Sequence, residues 1–236
     1  MDKNIIAVIG DIHGCINTLE KLYKKISDFK CKVYSVGDLI DRGNYSKEVV
    51  QFCINEKIHP VRGNHEQILL DALYSYKKYF NKDTKDRSLL DFCYELDVFY
   101  INGGYSTQKN YTGTESRAEF YKLEEKLKKL EHLNFFENLP MKIELKNIVI
   151  THAGIIKGTP EIYMLWNRNT PSNIGKFQIF GHTPHSNVMT DYKNYINIDT
   201  GCVYGKKLTS VIFNVKSKNI EEIISVEAEI KDYEKD

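Results

Sequence analysis

The segment Ile5–Gly14, IIAVIGDIHG, decides the fold of this chain, because an apolar run ends at a glycine and two polar residues follow at once. The apolar part is typical of a buried strand that Gly10 ends. Asp11 and His13 stand two positions apart in the loop that follows, so both side chains could chelate one ion. The segment therefore predicts a strand that delivers metal ligands from its carboxyl end.

Four more motifs of the same kind follow along the chain. Each places Asp, His or Asn beside a glycine, after a run of apolar, β-prone residues. They are Gly37–Gly43 (GDLIDRG), Arg62–Glu66 (RGNHE), Thr151–Gly154 (THAG) and Phe180–Thr183 (FGHT). Four of the seven histidines fall inside the five motifs. Hard ligands that several strand ends bring to one place are what a two-metal hydrolase needs.

The first part of the chain predicts an alternation of strands and helices. Strands are predicted at 4–9, 32–36 and 58–61, and helices at 17–29 and 46–55. This βαβαβ pattern favours a parallel sheet with helices on its faces. Because the first three motifs recur once per β–α unit, we expect their ligands to converge on one rim of that sheet.

The rest of the chain predicts one further helical region and then a run of strands. The pattern over residues 66–137 predicts a helical insertion, with a polar break at 81–87 and one continuous helix over 115–137. Strand patterns dominate after Pro140, and the last ten residues are charged and predicted to fray. No repeat, linker or low-complexity tract interrupts the sequence. We therefore expect one domain over residues 1–236, to which both halves contribute ligands.

The composition excludes several classes of function. The 33 basic and 32 acidic residues give a net charge of +1, so nucleic acid is not an expected partner. No run reaches the ~18 apolar residues that a membrane span requires, and Met1–Asn4 is unlike a signal peptide. The five cysteines are scattered and without a CxxC pair, which favours reduced thiols and a cytoplasmic protein. A P-loop NTPase is excluded, since no GxxxxGK[ST] stretch occurs.

The residue types in the motifs indicate which metals would bind. Asp38 could bridge two ions through its two carboxylate oxygens, and Asn64 is a neutral oxygen ligand. His152 and His182 would complete the second ion. Mixed nitrogen and oxygen ligation without thiolate suits Mn²⁺, Fe or Zn²⁺ better than Ca²⁺. Two such ions about 3.5–4 Å apart can hold a bridging hydroxide for direct in-line attack on phosphorus.

Neighbouring residues supply the other groups that such a reaction needs. His65 directly follows Asn64, so it could act as the general acid for the leaving oxygen, with Asp41 orienting its imidazole. Three arginines are available to grip phosphate oxygens and neutralise transition-state charge. They are Arg42, Arg62 and Arg168.

Together the motifs resemble those of the phosphoprotein phosphatase branch of the calcineurin-like metallophosphoesterases, and most closely the compact bacteriophage-lambda-type Ser/Thr protein phosphatases. The resemblance runs from Ile5 to about Phe213 and includes Val61–Gln67, Asn102–Gly104, Leu165–Arg168, Ile179–Pro184 and Ile198–Gly201. It implies an α/β class fold, an α/β/β/α sandwich of two mixed β-sheets flanked by helices, with metals at the rim.

The resemblance also implies roles for the site residues. One metal would be held by Asp11, His13 and Asp38, and the other by Asp38, Asn64, His152 and His182. The acid dyad would be His65 with Asp41, and phosphate would contact Arg42, Arg62 and Arg168. The cofactor would be two divalent ions, with Mn²⁺ expected and Fe or Zn²⁺ as alternatives. One departure is Thr151–Gly154, where many eukaryotic relatives have His-Gly-Gly, but the ligand histidine is retained.

The activity expected first is hydrolysis of phosphomonoesters on phospho-Ser/Thr proteins. An alternative is symmetrical hydrolysis of diadenosine tetraphosphate or a similar nucleotide, which would keep the same site chemistry. A non-enzymatic phosphate-binding module is disfavoured by the complete ligand set. The expected partners are phosphoproteins or small phosphoesters, with no membrane and no regulatory subunit, since the chain lacks room for the elements that bind such subunits.

Three features outside the motifs carry narrower expectations. His132 lies on the charged helical stretch and is expected to be solvated. The turn Asn102–Gly104 is expected either to touch the site through its backbone or to be only a turn. Asp199 is a candidate to brace the loop that carries His182.

Overall fold

The computed structural model describes residues 4–79 and 93–234. The strands within these residues are β1 (Ile5–Ile9), β2 (Lys32–Ser35), β3 (His59–Pro60), β4 (Lys142–Glu144), β5 (Ile148–Thr151), β6 (Phe177–Phe180), β7 (Met189–Thr190), β8 (Tyr195–Asn197), β9 (Lys207–Asn214) and β10 (Asn219–Glu227). The helices are α1 (Ile16–Ile26), α2 (Ser46–Asn55), α3 (Asn64–Tyr79), α4 (Tyr94–Phe99), α5 (Tyr105–Thr112), α6 (Tyr121–Lys129), α7 (His132–Glu137) and α8 (Ile230–Tyr233). None of the helices in these ranges is both long and apolar enough to cross a membrane.

The strands form two mixed sheets. The first has the order β10-β9-β1-β2-β3, in which β1, β2 and β3 are parallel and β9 pairs antiparallel with β1. The second has the order β4-β5-β6-β8-β7, in which β5, β6 and β8 are parallel. The predicted fold class is confirmed, and so is the parallel βαβαβ unit at the start of the chain.

Side-chain alternation along β1 shows how the layers pack. Ile6 and Val8 point into an apolar cluster between the two sheets, which also contains Ile150 of β5 and Phe213 of β9. The alternate residues of β1 point instead into a second cluster that the helices cover. A loop containing the short 3₁₀ helix Glu161–Leu165 covers the outer face of the second sheet. Two-sided burial explains why these strands are almost continuously apolar.

The helices α3 to α7 lie in sequence between β3 and β4, where a helical insertion was predicted. The predicted polar break at 81–87 lies outside the described residues. The single helix predicted over 115–137 is wrong, because Glu131 adopts a left-handed conformation with φ of 59°. Glu131 separates α6 from α7. No glycine or proline marks this break in the sequence.

This break reverses the prediction for His132, which is fully buried rather than solvated. The turn at Glu131 directs the imidazole inward, where Nδ1 lies 2.7 Å from the hydroxyl of Tyr111 and Nε2 lies 3.2 Å from Oε1 of Gln51. Burial, reinforced by the positive charge of Lys47, lowers the pKa of His132 to about 4.

The depressed pKa of His132 predicts a loss of stability in mild acid. The unfolded chain takes up this proton below about pH 6.5 and the folded chain only near pH 4, so the free energy of unfolding falls as pH falls between these values. Between pH 7.5 and pH 5, we expect His132 to lower the free energy of unfolding by about 2 kcal/mol. Urea unfolding at pH 7.5 and pH 5 should show a correspondingly smaller difference in a His132→Asn variant. The exposed His59→Asn is the control, and an undiminished pH dependence in His132→Asn would refute the assignment.

Residues 227–234, most of the stretch where fraying was predicted, form part of the fold. Strand β10 continues to Glu227, and α8 follows it. Asp232 in α8 is fully buried and hydrogen-bonded to the start of α1. The charged composition of this segment therefore did not predict its structure. The buried carboxylate of Asp232 accepts hydrogen bonds from donors in a distant segment.

Candidate active site

The loops that follow β1, β2, β3, β5 and β6 meet at one rim between the sheets, as the motif positions predicted. They bring together the side chains of Asp11, His13, Asp38, Asn64, His65, His152 and His182, all of which are buried. Parallel strands end on the same side, so each β–α unit contributes its polar loop to the same place.

Asp38 lies at the centre of this cluster. Its Oδ2 atom is 3.4 Å from Nε2 of His13, 3.5 Å from Nε2 of His152 and 3.9 Å from Nε2 of His65. Burial opposes ionisation of Asp38, but any positive charge on the three facing imidazoles, together with the N–H of His65 that donates to Oδ1 at 3.0 Å, holds the pKa of this carboxyl below its usual range. An ionised carboxylate with one group of imidazoles on each side has the placement that a bridging ligand needs.

Two groups of ligand atoms surround Asp38. Within the described ranges, the groups of at least three acidic, histidine or cysteine ligand atoms lying within 4.8 Å of one another are His13–Asp38–His65 and Asp38–His152–His182. The second matches the predicted second metal, with Asn64 beside it. The first contains His65 where Asp11 was predicted.

In the second group, Asn64, His152 and His182 are placed as the ligands of one cation would be. Oδ1 of Asn64 lies 2.7 Å from Nε2 of His152 and 2.9 Å from Nδ1 of His182, and these two nitrogens are 3.1 Å apart. Burial lowers the pKa of both histidines, that of His182 to about 3, so both are neutral. Lone pairs from an amide oxygen and a neutral imidazole then face one another, and a divalent ion would relieve this repulsion.

Backbone carbonyls fix the orientation of two of the histidines. Nδ1 of His13 donates to the carbonyl of Ile40 and Nδ1 of His152 donates to the carbonyl of Val36, each at 2.8 Å. A carbonyl can only accept, so the proton sits on Nδ1 and the lone pair of Nε2 faces Asp38. These bonds prepare both rings as metal ligands.

Asp11 lies beside the cluster with its carboxylate directed at the backbone N–H of His182, at 3.1 and 3.2 Å. Burial and the nearby carboxylates of Asp199 and Asp38 raise its pKa well above the usual range. Burial likewise raises the pKa of Asp199 to about 7. Three carboxylates collected in a buried site need positive charge beside them, which divalent ions would supply.

Asp199 braces the loop after His182 through its backbone. Its carbonyl accepts a hydrogen bond from the N–H of His185 at 3.0 Å, while its side chain accepts one from the N–H of Gly201 at 3.0 Å. The predicted bracing contact is therefore present, but it is made by the main chain.

The glycines of the motifs leave room for carboxylates of other motifs. A Cβ atom at Gly63 would collide with Oδ1 of Asp38, and one at Gly181 would collide with Oδ1 of Asp11. Any side chain at these positions would displace the proposed metal ligands. This explains why glycine stands next to Asn64 and His182 in the sequence.

The two residues predicted as the acid dyad form a hydrogen-bonded pair. Nδ1 of His65 donates to Oδ2 of Asp41 at 2.8 Å, and both side chains are fully buried. Burial alone would lower the pKa of His65, but the carboxylates of Asp38 and Asp41 outweigh it and raise that pKa. Thr107 of α5 donates its hydroxyl to Oδ1 of Asp41 at 2.6 Å and accepts the N–H of Asp41 at 3.0 Å. The sequence carried no signal for Thr107.

Glu66 holds two site loops together. Its carboxylate accepts the backbone N–H groups of Asp38, Leu39 and Gly63 at 2.9, 2.7 and 2.8 Å. The side chain is fully buried, and this burial raises its pKa to about 7. Because the loops after β2 and β3 share this carboxylate, Glu66 fixes Asp38 relative to Asn64.

The three arginines differ in their placement. Nη1 of Arg42 lies 2.8 Å from Nε2 of His13, and Nη1 of Arg168 lies 3.5 Å from Oγ1 of Thr183, so both guanidinium groups border the cluster. If His13 bound a metal through Nε2, the contact with Arg42 would be lost and its guanidinium would become free for phosphate.

Arg62 is held away from this border. Its guanidinium donates to Oε1 of Gln67 at 3.0 Å and to the carbonyls of Phe136 and Glu137 at 3.4 and 2.9 Å. Phosphate contact by Arg62 would require it to leave these acceptors, and its predicted role stays a prediction.

The predicted turn Asn102–Gly104 lies in a kinked helical segment, Tyr100–Gly104, which joins α4 to α5, and its backbone touches the site. The carbonyl of Gly103 accepts the N–H of Arg42 at 3.2 Å. Gly103 has φ of 102°, and a Cβ atom there would lie 2.8 Å from Cγ of Arg42. The more specific of the two expectations for this turn is therefore confirmed.

Strained backbone is concentrated in the site loops. Left-handed φ angles occur at proposed ligands, at one member of the proposed acid dyad and at one proposed phosphate contact. They are His13, Asp38, Asp41, Arg42 and His182, with φ between 47° and 72°. Such conformations are unfavourable for residues with a side chain and persist where the surrounding structure enforces them. Here the enforced geometry aims the side chains at one another.

Two exposed aromatic residues lie beside different members of the cluster and its border, His182 and Arg42. The Trp166 ring lies 6.1 Å from the ring of His182, and the Tyr204 ring lies 5.7 Å from the Arg42 guanidinium carbon. Their exposed fractions are 42% and 54%. These rings can contact the non-phosphate part of a substrate.

Comparisons with known proteins agree with this fold. The sequence model of the calcineurin-like phosphoesterases matches residues 5–186. The chain is 28% identical to the asymmetrical bis(5'-nucleosyl)-tetraphosphatase of Oceanobacillus iheyensis, over 89% of each chain. It is 29% identical to serine/threonine-protein phosphatase 1 of Salmonella typhimurium, over 86% of this chain and 88% of that one. A crystal structure of a candidate diadenosine tetraphosphatase superimposes with a TM-score of 0.62 at 22% identity, covering 97% of this chain and 95% of the other.

Proposed function

Because the chain belongs to the calcineurin-like phosphoesterase family, we propose that it is a metal-dependent phosphatase of phosphoserine and phosphothreonine in proteins. Membership of the family makes it a metal-dependent phosphoester hydrolase. The similarity to the Salmonella protein phosphatase along most of the chain supports the finer proposal. The observation that carries it is the buried pair of His65 and Asp41, 2.8 Å apart.

The pair favours alkyl monoesters for a chemical reason. A serine or threonine alkoxide is a strongly basic leaving group that must be protonated as it departs, whereas a phosphate leaving group is a stable anion. A histidine with a raised pKa that is held by a carboxylate is suited to deliver that proton. Since Nδ1–H of His65 is committed to Asp41, Nε2–H is the one that would serve the leaving oxygen.

The other residues have separate tasks in this proposal. Two divalent ions would be held by Asp11, His13, Asp38, Asn64, His152 and His182, with Mn²⁺ expected and Fe or Zn²⁺ as alternatives. When bound, the ions supply Lewis acidity and activate the attacking water. Arg42 and Arg168 would grip the non-bridging phosphate oxygens, which orients the phosphorus for in-line attack. Arg62 is the third predicted phosphate contact.

Arg168 offers a direct test of phosphate binding. Replacing Arg168 with alanine should cost about 2–4 kcal/mol of transition-state stabilisation, or about 30- to 1000-fold in kcat/KM, because one charged clamp on the phosphate is lost. Steady-state kinetics with 4-nitrophenyl phosphate measure this. Lys157→Ala is the matched control, since Lys157 is an exposed cation that follows the same strand. Unchanged kinetics in Arg168→Ala would remove this residue from the site.

A dinucleoside tetraphosphatase is the second candidate, and two observations favour it. The Oceanobacillus tetraphosphatase aligns along most of the chain. In addition, the exposed rings of Trp166 and Tyr204 lie beside His182 and Arg42, where each could stack on one nucleobase. The sequence suggested symmetrical cleavage for this alternative, whereas this relative is named for asymmetrical cleavage.

One experiment separates the two candidates. Phosphate release from a phosphothreonine peptide and nucleotide release from diadenosine tetraphosphate are measured side by side in Mn²⁺, with EDTA as control. Preference for the peptide, lost in EDTA, supports the protein phosphatase. Preference for the dinucleotide overturns that substrate class, and the products then distinguish two ADP from AMP with ATP. No metal-dependent turnover of either substrate would contradict both candidates.

A further inference from the structure

Asp232 is a buried acid that the proposed reaction does not use. It lies in α8, near the end of the described chain, and none of its surface is exposed. Its carboxylate accepts the backbone N–H groups of Asn17 and Thr18 at 3.0 and 2.8 Å. It also accepts hydrogen bonds from the side chains of the same two residues, at 2.7 and 2.5 Å.

These bonds make Asp232 the N-terminal cap of α1. Helix α1 begins at Ile16, and the preceding residue, Cys15, makes no side-chain capping bond. Asn17 and Thr18 therefore have the free N–H groups that a local Ser, Thr, Asp or Asn normally satisfies. Here an aspartate 214 positions away from Thr18 satisfies them. The helix that it caps starts three residues after the proposed ligand His13.

The same segment holds the loop that carries Asp41 and Arg42. We name residues 229–234 the C-terminal clasp. The backbone N–H of Asn44 donates to the carbonyl of Asp232 at 2.8 Å. The side-chain amide of Asn44 donates to the carbonyls of Lys231 and Glu234 at 2.9 and 2.7 Å.

Gly43 shows how closely these three segments meet. A Cβ atom at Gly43 would collide with the carbonyl of His13 and would lie 3.1 Å from the carbonyl of Asp232. The loop of residues 41–45 is thus enclosed between the metal-ligand loop and the C-terminal clasp.

A third loop is in contact with the clasp. A Cβ atom at Gly205 would lie 3.1 Å from the ring of Tyr233. Gly205 follows Tyr204, whose ring borders the Arg42 guanidinium. The clasp therefore contacts three loops, and each of them carries a residue that borders or lines the site.

We propose that Asp232 is a positioning residue for the metal centre: by capping α1 while its backbone holds Asn44, it fixes His13 relative to Asp41 and Arg42. Small displacements of such groups lower the reaction rate strongly, because reacting groups must be held within a fraction of an ångström of their productive positions. The kinetic part of this inference rests on the proposed function, whereas the structural part does not.

The test compares Asp232→Ala with Leu22→Val, at a temperature where both variants are folded. Leu22 is buried on α1, so its truncation loosens the core and leaves the cap intact. Hydrogen exchange of the metal-free proteins should speed up at residues 12–18 and 41–45 in Asp232→Ala only. Mn²⁺ affinity or kcat for 4-nitrophenyl phosphate should fall about 10- to 100-fold, with KM within about twofold. Asp232→Asn, which keeps an acceptor oxygen, should recover part of the loss, and Lys231→Ala should match the wild type.

Two results would overturn the proposal. One is faster exchange confined to residues 16–18 with unchanged metal affinity and kcat, which would make Asp232 a helix cap alone. The other is an equal loss of kcat in Leu22→Val, which would make the effect a general loss of stability. If Asp232→Ala does not fold, Asn44→Ala removes the two side-chain bonds from the loop to the clasp and keeps both the cap and the backbone bond to Asp232. It should show a loss of metal affinity or kcat in the same direction. If the wild type had no phosphoesterase activity, the proposed function would be refuted. Hydrogen exchange and Mn²⁺ affinity would still decide the role of Asp232.

Discussion

Replacing Asp38 with asparagine is expected to abolish the binding of two Mn²⁺ ions per chain and to lower kcat by about 10³-fold. The Oδ2 atom of Asp38 faces imidazole nitrogens of both ligand groups, so one substitution weakens both metal positions. Losing a bridging carboxylate removes several kcal/mol of charge stabilisation at the phosphate. Isothermal titration with Mn²⁺ gives the stoichiometry, and 4-nitrophenyl phosphate gives the rate.

The substitution is conservative for the fold, which makes its result interpretable. Asparagine tolerates the left-handed backbone that residue 38 adopts at φ of 52°. Asp28→Asn is the control, because Asp28 is exposed on a short 3₁₀ helix remote in sequence from the motifs. An Asp38→Asn protein that still bound two equivalents would show that the two ligand groups are not joined through this residue.

Replacing His65 with asparagine is expected to have an effect that depends on the leaving group. On a phosphothreonine peptide, kcat should fall by about 10²- to 10⁴-fold, the usual contribution of a general acid. On 4-nitrophenyl phosphate the loss should be much smaller, because nitrophenolate departs without protonation. Comparing the two substrates in one variant separates loss of the acid from loss of metal binding.

Equal losses on both substrates would contradict the acid role, and would point instead to His65 as a ligand in the group that it forms with His13 and Asp38. His59→Asn serves as the control, since His59 lies exposed on β3. Thr107→Val should reproduce a milder form of the His65→Asn pattern, because it removes the hydroxyl that donates to Asp41.

The sequence predicted those parts of the molecule whose signals are local. The strand predicted over 4–9 is observed at Ile5–Ile9, because a strand buried on both faces has an unbroken apolar pattern. The ligand loops were predictable because glycine next to Asp or His marks the strand ends. Their side chains are brought together as expected, and the role of each residue stays a prediction.

Contacts between distant segments were not predictable in the same way. Thr107 reaches Asp41 across 66 positions and Asp232 reaches Thr18 across 214, and neither residue belongs to a recognisable motif. Glu131 bends the chain between α6 and α7 although glutamate normally favours helix. In each case, packing against remote residues outweighs the local preference.

Backbone strain in the site loops makes selection for stability oppose selection for activity. Arg42, which is only partly buried, holds a left-handed φ of 71°. Glycine there would relieve about 1–2 kcal/mol of strain, against about 0.5–1 kcal/mol for the added freedom of the unfolded chain. A library sorted only for heat resistance should therefore accumulate glycine at position 42. The selected variants would be more stable proteins that have lost the proposed phosphate contact.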